Sequence, residues 1–210
     1  MENSDSMASL KIIIAVIALI AVIGIAFALM SQKPEYPDIA NPIPVKGNPD
    51  AKVIVEEFSD FQCPACISTF PYVQEIINNN KDKIRFEYRQ FPLPSHNYAF
   101  KSSEASLCAQ DAGKFWEYHD ELFKAKGVLD SESLVKYAER VGIDKASFNN
   151  CLYSGTKEAK VNAEISAGQD RGVNGTPTFF VNRKKIEGIY LSEIIANLKA
   201  AIASEIAGVE

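Results

Sequence analysis

Two cysteines separated by two residues, in Cys63-Pro64-Ala65-Cys66, are the side chains of this 210-residue chain best suited to chemistry. Such a pair can cycle between dithiol and disulfide, ligate a metal as thiolates, or form an inert bridge. Zinc needs two further ligands, usually a second C-x-x-C or a Cys/His pair, and neither stands nearby, so no metal is expected. In exchange the thiolate is the reacting species, and its stability depends on where the sulfur sits. A β-branched, nearly continuous apolar run over residues 52–58 precedes the pair, and Ile67, Phe70, Val73, Ile76 and Ile77 follow at helical spacing. Cys63 therefore falls at a helix N-terminus, where unpaired amides and the macrodipole favour an anion. Pro64 fits the first helical turn without losing a hydrogen bond. Cys66 lies one turn further in, less exposed, within reach of a mixed disulfide formed on Cys63.

The elements that must hold this pair can be read outward from it. The run 52–58 is a central strand buried on both faces, 63–80 a helix ended by Asn78-Asn79-Asn80-Lys81-Asp82, and 83–91 a second strand with Ile84, Phe86 and Tyr88 alternating, giving β-α-β. Residues 95–171 are helical in character, with Gly113, Gly127, Gly142 and Gly155 at helix ends and Asp130 or Ser131 capping a helix over 132–141. The α/β framework resumes with a strand at 178–181, a turn at Asn182-Arg183, a strand over 185–190 and a closing helix over 192–206. A tight loop, Gly172-Val173-Asn174-Gly175-Thr176-Pro177, leads directly into the first of these strands.

Taken in order, Phe58-Ser59-Asp60-Phe61-Gln62-Cys63-Pro64-Ala65-Cys66, the helical insertion, and Gly175-Thr176-Pro177-Thr178-Phe179-Phe180-Val181 resemble a DsbA-type thiol:disulfide oxidoreductase over residues 45–206. The resemblance implies an α/β thioredoxin fold at 51–206 with an inserted all-helical subdomain at about 95–171. It implies that Pro177 is a cis-proline facing the cysteines and that Thr176, with Gly175, offers backbone atoms to an extended substrate. Glu57, six residues before Cys63, matches an acidic position beneath the cysteines that exchanges a proton with Cys66. Glu56 is its rival, because strand alternation puts the two on opposite faces without saying which meets the sulfurs, and a solvated strand-end acid is the plain alternative. Cys108 and Cys151 match a structural disulfide between two helices of the insertion; free buried thiols and a second redox relay are the alternatives. Ala65 departs from the histidine often found there, which points to a milder oxidant. Phe61, Tyr98 and Trp116 are candidates to line an apolar groove for unfolded substrates, Trp116 being more suited to the core. His96 and His119 read as unremarkable, with no metal or catalytic role expected of either, His119 lying on a helix whose aromatics pack the insertion. The sequon Asn174-Gly175-Thr176 abuts the active site and is discounted as a glycosylation site.

Residues 12–30 hold nineteen consecutive positions with no charged or polar side chain, long enough as a helix (~28 Å) to span a bilayer. They predict a transmembrane signal anchor behind a short tail, 1–11, within which Met7 is an alternative start. Ala26-Phe27-Ala28 has the form of a cleavage site and leaves a secreted product as the alternative. Five prolines in 31–50 predict a stiff linker. Hydrophobic residues at 47% and charged residues at 23% exclude disorder, and 22 basic against 27 acidic side chains exclude a nucleic-acid footprint. Four cysteines behind an export signal fit an oxidising compartment. The expected activity is dithiol–disulfide exchange at Cys63-Cys66 that introduces disulfides into exported, unfolded or partly folded proteins with free thiols, on the extracytoplasmic side. Resemblance implies a quinone-linked membrane thiol oxidase as partner, and no bound cofactor. The alternatives are a reductase or isomerase that keeps exported thiols reduced, and a non-catalytic thioredoxin-like binding module.

Overall fold

The computed structural model describes residues 42–209, together with Ile20, Ala21, Val22 and Gly24, which are helical. Among the described residues no helix is long and apolar enough to cross a membrane. The expected span at 12–30 lies, apart from those four positions, outside the described residues. So do the tail 1–11 and the linker up to residue 41.

Five strands and seven helices make up the described domain. In chain order they are β1 (Val45–Gly47), β2 (Val53–Ser59), α1 (Pro64–Asn80), β3 (Ile84–Gln90), α2 (Ala99–Asp111), α3 (Phe115–Lys124), α4 (Ser131–Arg140), α5 (Lys145–Tyr153), α6 (Glu158–Asp170), β4 (Thr178–Val181), β5 (Lys184–Lys185) and α7 (Leu191–Ala207). The sheet order is β1-β3-β2-β4-β5. Only β2 and β3 are parallel, as the α1 crossover between them requires; β1, β4 and β5 each pair antiparallel with their neighbour.

β2 is buried on both faces, which its near-continuous apolar run demands. Val53 and Val55 face a large core with Val73, Ile76 and Ile77 of α1, Ile195, Leu198 and Ile202 of α7, and the helices of the insertion. Phe58 faces the opposite side, where Phe91, Val173 and Phe180 form a second cluster beneath α6. Close approach of α6 depends on Gly168, because a Cβ there would lie 2.7 Å from the Phe91 ring.

Two expected boundaries differ. The spacer was read to residue 50, yet residues 45–47 form an edge strand on β3, Pro44 O accepts from Tyr88 N, and Val45 O accepts from Trp116 Nε1 at 2.8 Å. Proline suits an edge, where one side of the ladder stays unpaired. Gly47 closes that strand with φ +88°, and a Cβ there would meet the Ile84 carbonyl. The strand expected at 185–190 is instead Lys184–Lys185, which pairs with Val181 and Phe180 of β4.

The insertion, α2 to α6, lies between β3 and β4. A disulfide joins Cys108 of α2 to Cys151 of α5, with Cα atoms 5.8 Å apart. Asp130 caps α4, its carboxylate accepting from Ser133 N at 3.0 Å.

Candidate active site

β2 runs through Ser59 into the turn Asp60-Phe61-Gln62, and Cys63 is the N-cap of α1. The backbone turn is closed by Cys63 N donating to Asp60 O at 3.1 Å, and the helix begins with Ile67 N donating to Cys63 O at 3.0 Å. No side chain caps α1, and Pro64 has no N–H to offer, so the amides of Ala65 and Cys66 are left to face the Cys63 sulfur. Both cysteines are free; Cys63 is 5% exposed and Cys66 fully buried.

The loop before β4 comes up against this helix end. Its Thr176–Pro177 peptide bond is cis, and Thr178 Oγ1 donates to Gly175 O at 2.8 Å to tie the bend. As a thiol, Cys63 donates to Thr176 O at 3.3 Å. As a thiolate it accepts from the Cys66 thiol, from the otherwise unpartnered Thr176 hydroxyl and from the amides of Cys66 and Ala65. The Cys66 hydrogen bond is the largest of these influences, and together they outweigh burial and bring the Cys63 pKa down to about 5. Cys66 goes the other way: burial first, then the neighbouring Cys63 and Glu57, push its thiol well above the ordinary range. One sulfur is thus poised as an anion at neutral pH and the other as a thiol.

Strand register decides between the two acids. Glu57 pairs with Tyr88 on β3 and Phe179 on β4 and shares its face with Cys66. Burial raises its pKa to about 7, with the Ser59 hydroxyl opposing. Glu56 points away. Burial would raise its pKa too, but Arg171, at 2.6 and 2.7 Å, and Arg89, at 3.1 Å, hold the carboxyl below the usual range.

Phe61 does not line a groove. It is fully buried, stacked on Tyr88 with ring centroids 5.2 Å apart and packed against Phe123 at 5.0 Å, because the turn directs it into the core while Gln62 faces out. Tyr98 is exposed beside the site, its backbone N held by Gln62 Oε1 at 2.7 Å. A depression of about 490 Å³ between α1 and α7, lined by Thr69, Tyr72, Leu191 and Ile195, opens one turn along α1 from Cys66.

His96, unremarkable in the sequence, meets the active-site turn. Its Nδ1 lies 2.7 Å from the fully buried Asp60 carboxylate, which also accepts from Gln62 N at 2.7 Å and Leu93 N at 2.9 Å. Asp60 thereby staples the active-site turn to the loop after β3. Asp60 stood in the motif, but its partner is 36 residues away and carries no local signal. His119 sits buried among Phe61, Tyr88, Phe115 and Phe123, and burial lowers its pKa. Among the described residues no three His, Cys, Asp or Glu side chains converge as a metal site.

A parallel β-α-β unit with a C-x-x-C at the helix start, faced by a cis X-Pro loop, defines a thioredoxin-type dithiol protein. A thioredoxin family model matches residues 41–200, and the chain belongs to that family. Among solved structures it is similar to a thioredoxin-like oxidoreductase from Silicibacter pomeroyi DSS-3, 27% identical with a TM-score of 0.66 over 76% of this chain and 91% of that one. It is likewise similar to oxidised BdbD from Bacillus subtilis, 25% identical with a TM-score of 0.67 over 79% and 93%. The DsbA-type resemblance of the motifs is met by these neighbours. A curated relative, the Na(+)/H(+) antiporter NhaA 1 of Salinispora arenicola (strain CNS-205), is 37% identical over 165 residues, which are 78% of this chain and 25% of that one. The chain thus spans about a quarter of the length of the curated relatives it matches.

Proposed function

We propose that the protein is a membrane-tethered, extracytoplasmic oxidase of thiols, which introduces disulfides into exported proteins through Cys63 and Cys66. The observation that carries this reading is the opposed acidity of the two sulfurs against the Thr176–Pro177 loop. A substrate thiolate attacks Cys63 of the oxidised pair, the Cys63–Cys66 bond breaks, and its electron pair leaves on Cys66. A second substrate thiolate then attacks the substrate sulfur of the mixed disulfide, releasing Cys63 as the thiolate the site stabilises. The substrate has lost two electrons and the pair has gained them. The half-buried Gly175–Thr176 backbone and the depression between α1 and α7 offer an extended, partly apolar substrate a seat.

The Cys63 anion supports the oxidising direction. A pKa of about 5 stabilises the reduced form at pH 7 by roughly 50 mV relative to a pair like thioredoxin's, whose thiol is near 7 and whose potential is about -270 mV. The resulting value, about -220 mV, still lies above the roughly -300 mV of structural disulfides in secreted proteins, so donation to such substrates runs downhill. Reoxidation falls to a quinone-linked membrane thiol oxidase. The apolar run 12–30 supports tethering, as does the joining of a similar segment to an antiporter in the relatives.

The test uses the full-length oxidised chain in detergent with a reduced, unfolded secreted protein. Disulfide formation should be lost in Cys63→Ser with the fold retained; unchanged turnover would sink the catalytic reading and leave a binding module. Net reduction of the same substrate's disulfides by the reduced chain would favour the reductase instead.

A further inference from the structure

We propose that the Ser59 hydroxyl relays a proton between the Cys66 sulfur and the Glu57 carboxyl; the inference rests on the exchange reading above and adds the residue that lets the buried sulfur change charge. Ser59 and Glu57 stand two apart on β2 and therefore share a face, and Tyr88 is the register partner of Glu57 on β3. Ser59, Cys66 and Tyr88 are fully buried and Glu57 is 4% exposed, so bulk water does not reach this cluster. In the reduced structure neither the Ser59 nor the Tyr88 hydroxyl makes a hydrogen bond of good geometry. Leaving a buried hydroxyl unsatisfied is costly, and such groups in native proteins call for a reason. Ser59 is nevertheless the polar group that Glu57, Cys66 and Tyr88 share, since it favours the charged form of each. A serine hydroxyl can accept one proton while releasing another, which is what a site needs when two groups take turns at carrying charge.

The step balances within the site. When a substrate thiolate attacks Cys63, the Cys63–Cys66 bond breaks, a Cys63–substrate bond forms, and Cys66 leaves as a thiolate. Ser59 gives that thiolate its proton and takes one from the Glu57 carboxyl, so Cys66 ends as a thiol and Glu57 as a carboxylate. In reverse, the Cys66 proton passes through Ser59 to Glu57, and the thiolate closes on Cys63 and expels the substrate. Other titratable groups face the cluster: Cys63 from the start of α1, Tyr88 from β3, Asp60 from the turn, and His119 of α3 against the Tyr88 ring. β4 contributes no titratable group on this face, where Phe179 and Val181 stand.

The experiment mixes the reduced full-length chain in detergent with Ellman's reagent. Cys63 takes up a thionitrobenzoate, and Cys66 then displaces it in a second, concentration-independent release of coloured thiolate, followed from pH 5 to 10. Ser59→Ala should slow that release by ~10-fold at pH 7. Ser59→Thr should keep the wild-type rate, and in a Glu57→Gln background Ser59→Ala should add no further loss. The relay is overturned if Ser59→Ala follows wild type at every pH, if Ser59→Thr is as slow as Ser59→Ala, or if the two losses multiply. Absence of the second release in wild type itself would overturn the exchange reading, and the relay with it.

Discussion

The Cys63 sulfur lies 3.3 Å from the carbonyl oxygen of Thr176, a residue 113 positions further along the chain. That contact is possible because β4 pairs antiparallel with β2, which delivers Cys63, so the loop entering one strand meets the turn leaving the other. Edge to edge, the two segments supply opposite halves of one site. The Thr176 hydroxyl also favours the Cys63 anion. Thr176→Val should therefore raise the Cys63 pKa from about 5 by about one unit, the worth of one hydrogen bond to a charged group. Thiolate absorbance at 240 nm against pH measures it.

Reactivity of Cys63 should follow its anion. Alkylation by iodoacetamide is expected to be nearly constant from pH 8 to 6 and to fall through pH 5, whereas an ordinary thiol is already mostly protonated at pH 7. Cys66 should stay unlabelled in the native protein across that range. Rapid labelling of Cys66 at neutral pH would contradict its burial.

The pair's potential is expected near -220 mV by equilibration with glutathione, about 50 mV above thioredoxin's. A value at or below about -270 mV would show that the Cys63 anion is not stabilised in the reduced protein.

Glu57 carries a stability signature with a definite sign. Its folded pKa, about 7, exceeds the ordinary 4.5, so the folded state holds the proton more tightly. Its contribution is fully present below about pH 4.5 and is lost as pH rises through 7. Glu57→Gln should accordingly stabilise the reduced protein by ~3 kcal/mol at pH 8 and hardly at all at pH 4, in urea unfolding at the two pH values. Equal effects at both would mean that the carboxyl is not protonated by burial.

The disulfide Cys108–Cys151 closes a loop with a sequence separation of 43 residues, remote in sequence from the reacting pair. Replacing both cysteines by alanine should cost ~4 kcal/mol by loss of that constraint on the unfolded chain. The Cys63 pKa should not move. A shift of the Cys63 titration in that variant would couple the insertion to the site.

Local chemistry is what the sequence by itself determined. The apolar run, the spacing after Cys66 and Pro64 were sufficient to put Cys63 at the start of a helix, since caps and periodicity act within a few residues. Likewise the β-α-β order was legible, because each element carries its own pattern. Which acid meets the sulfurs was not. Alternation sends Glu56 and Glu57 to opposite faces, but β2 is covered on both, so burial alone gives the two faces no sign; Arg171 and Arg89 on one side and Cys66 on the other supply it. The staple between Asp60 and His96, the burial of Phe61 beneath Tyr88, and the edge strand Val45–Gly47 were decided in the same way. Each depends on a partner tens of residues distant, and such contacts come from how the sheet stacks against its helices, where packing and hydrogen-bond satisfaction override the preferences of the segment itself.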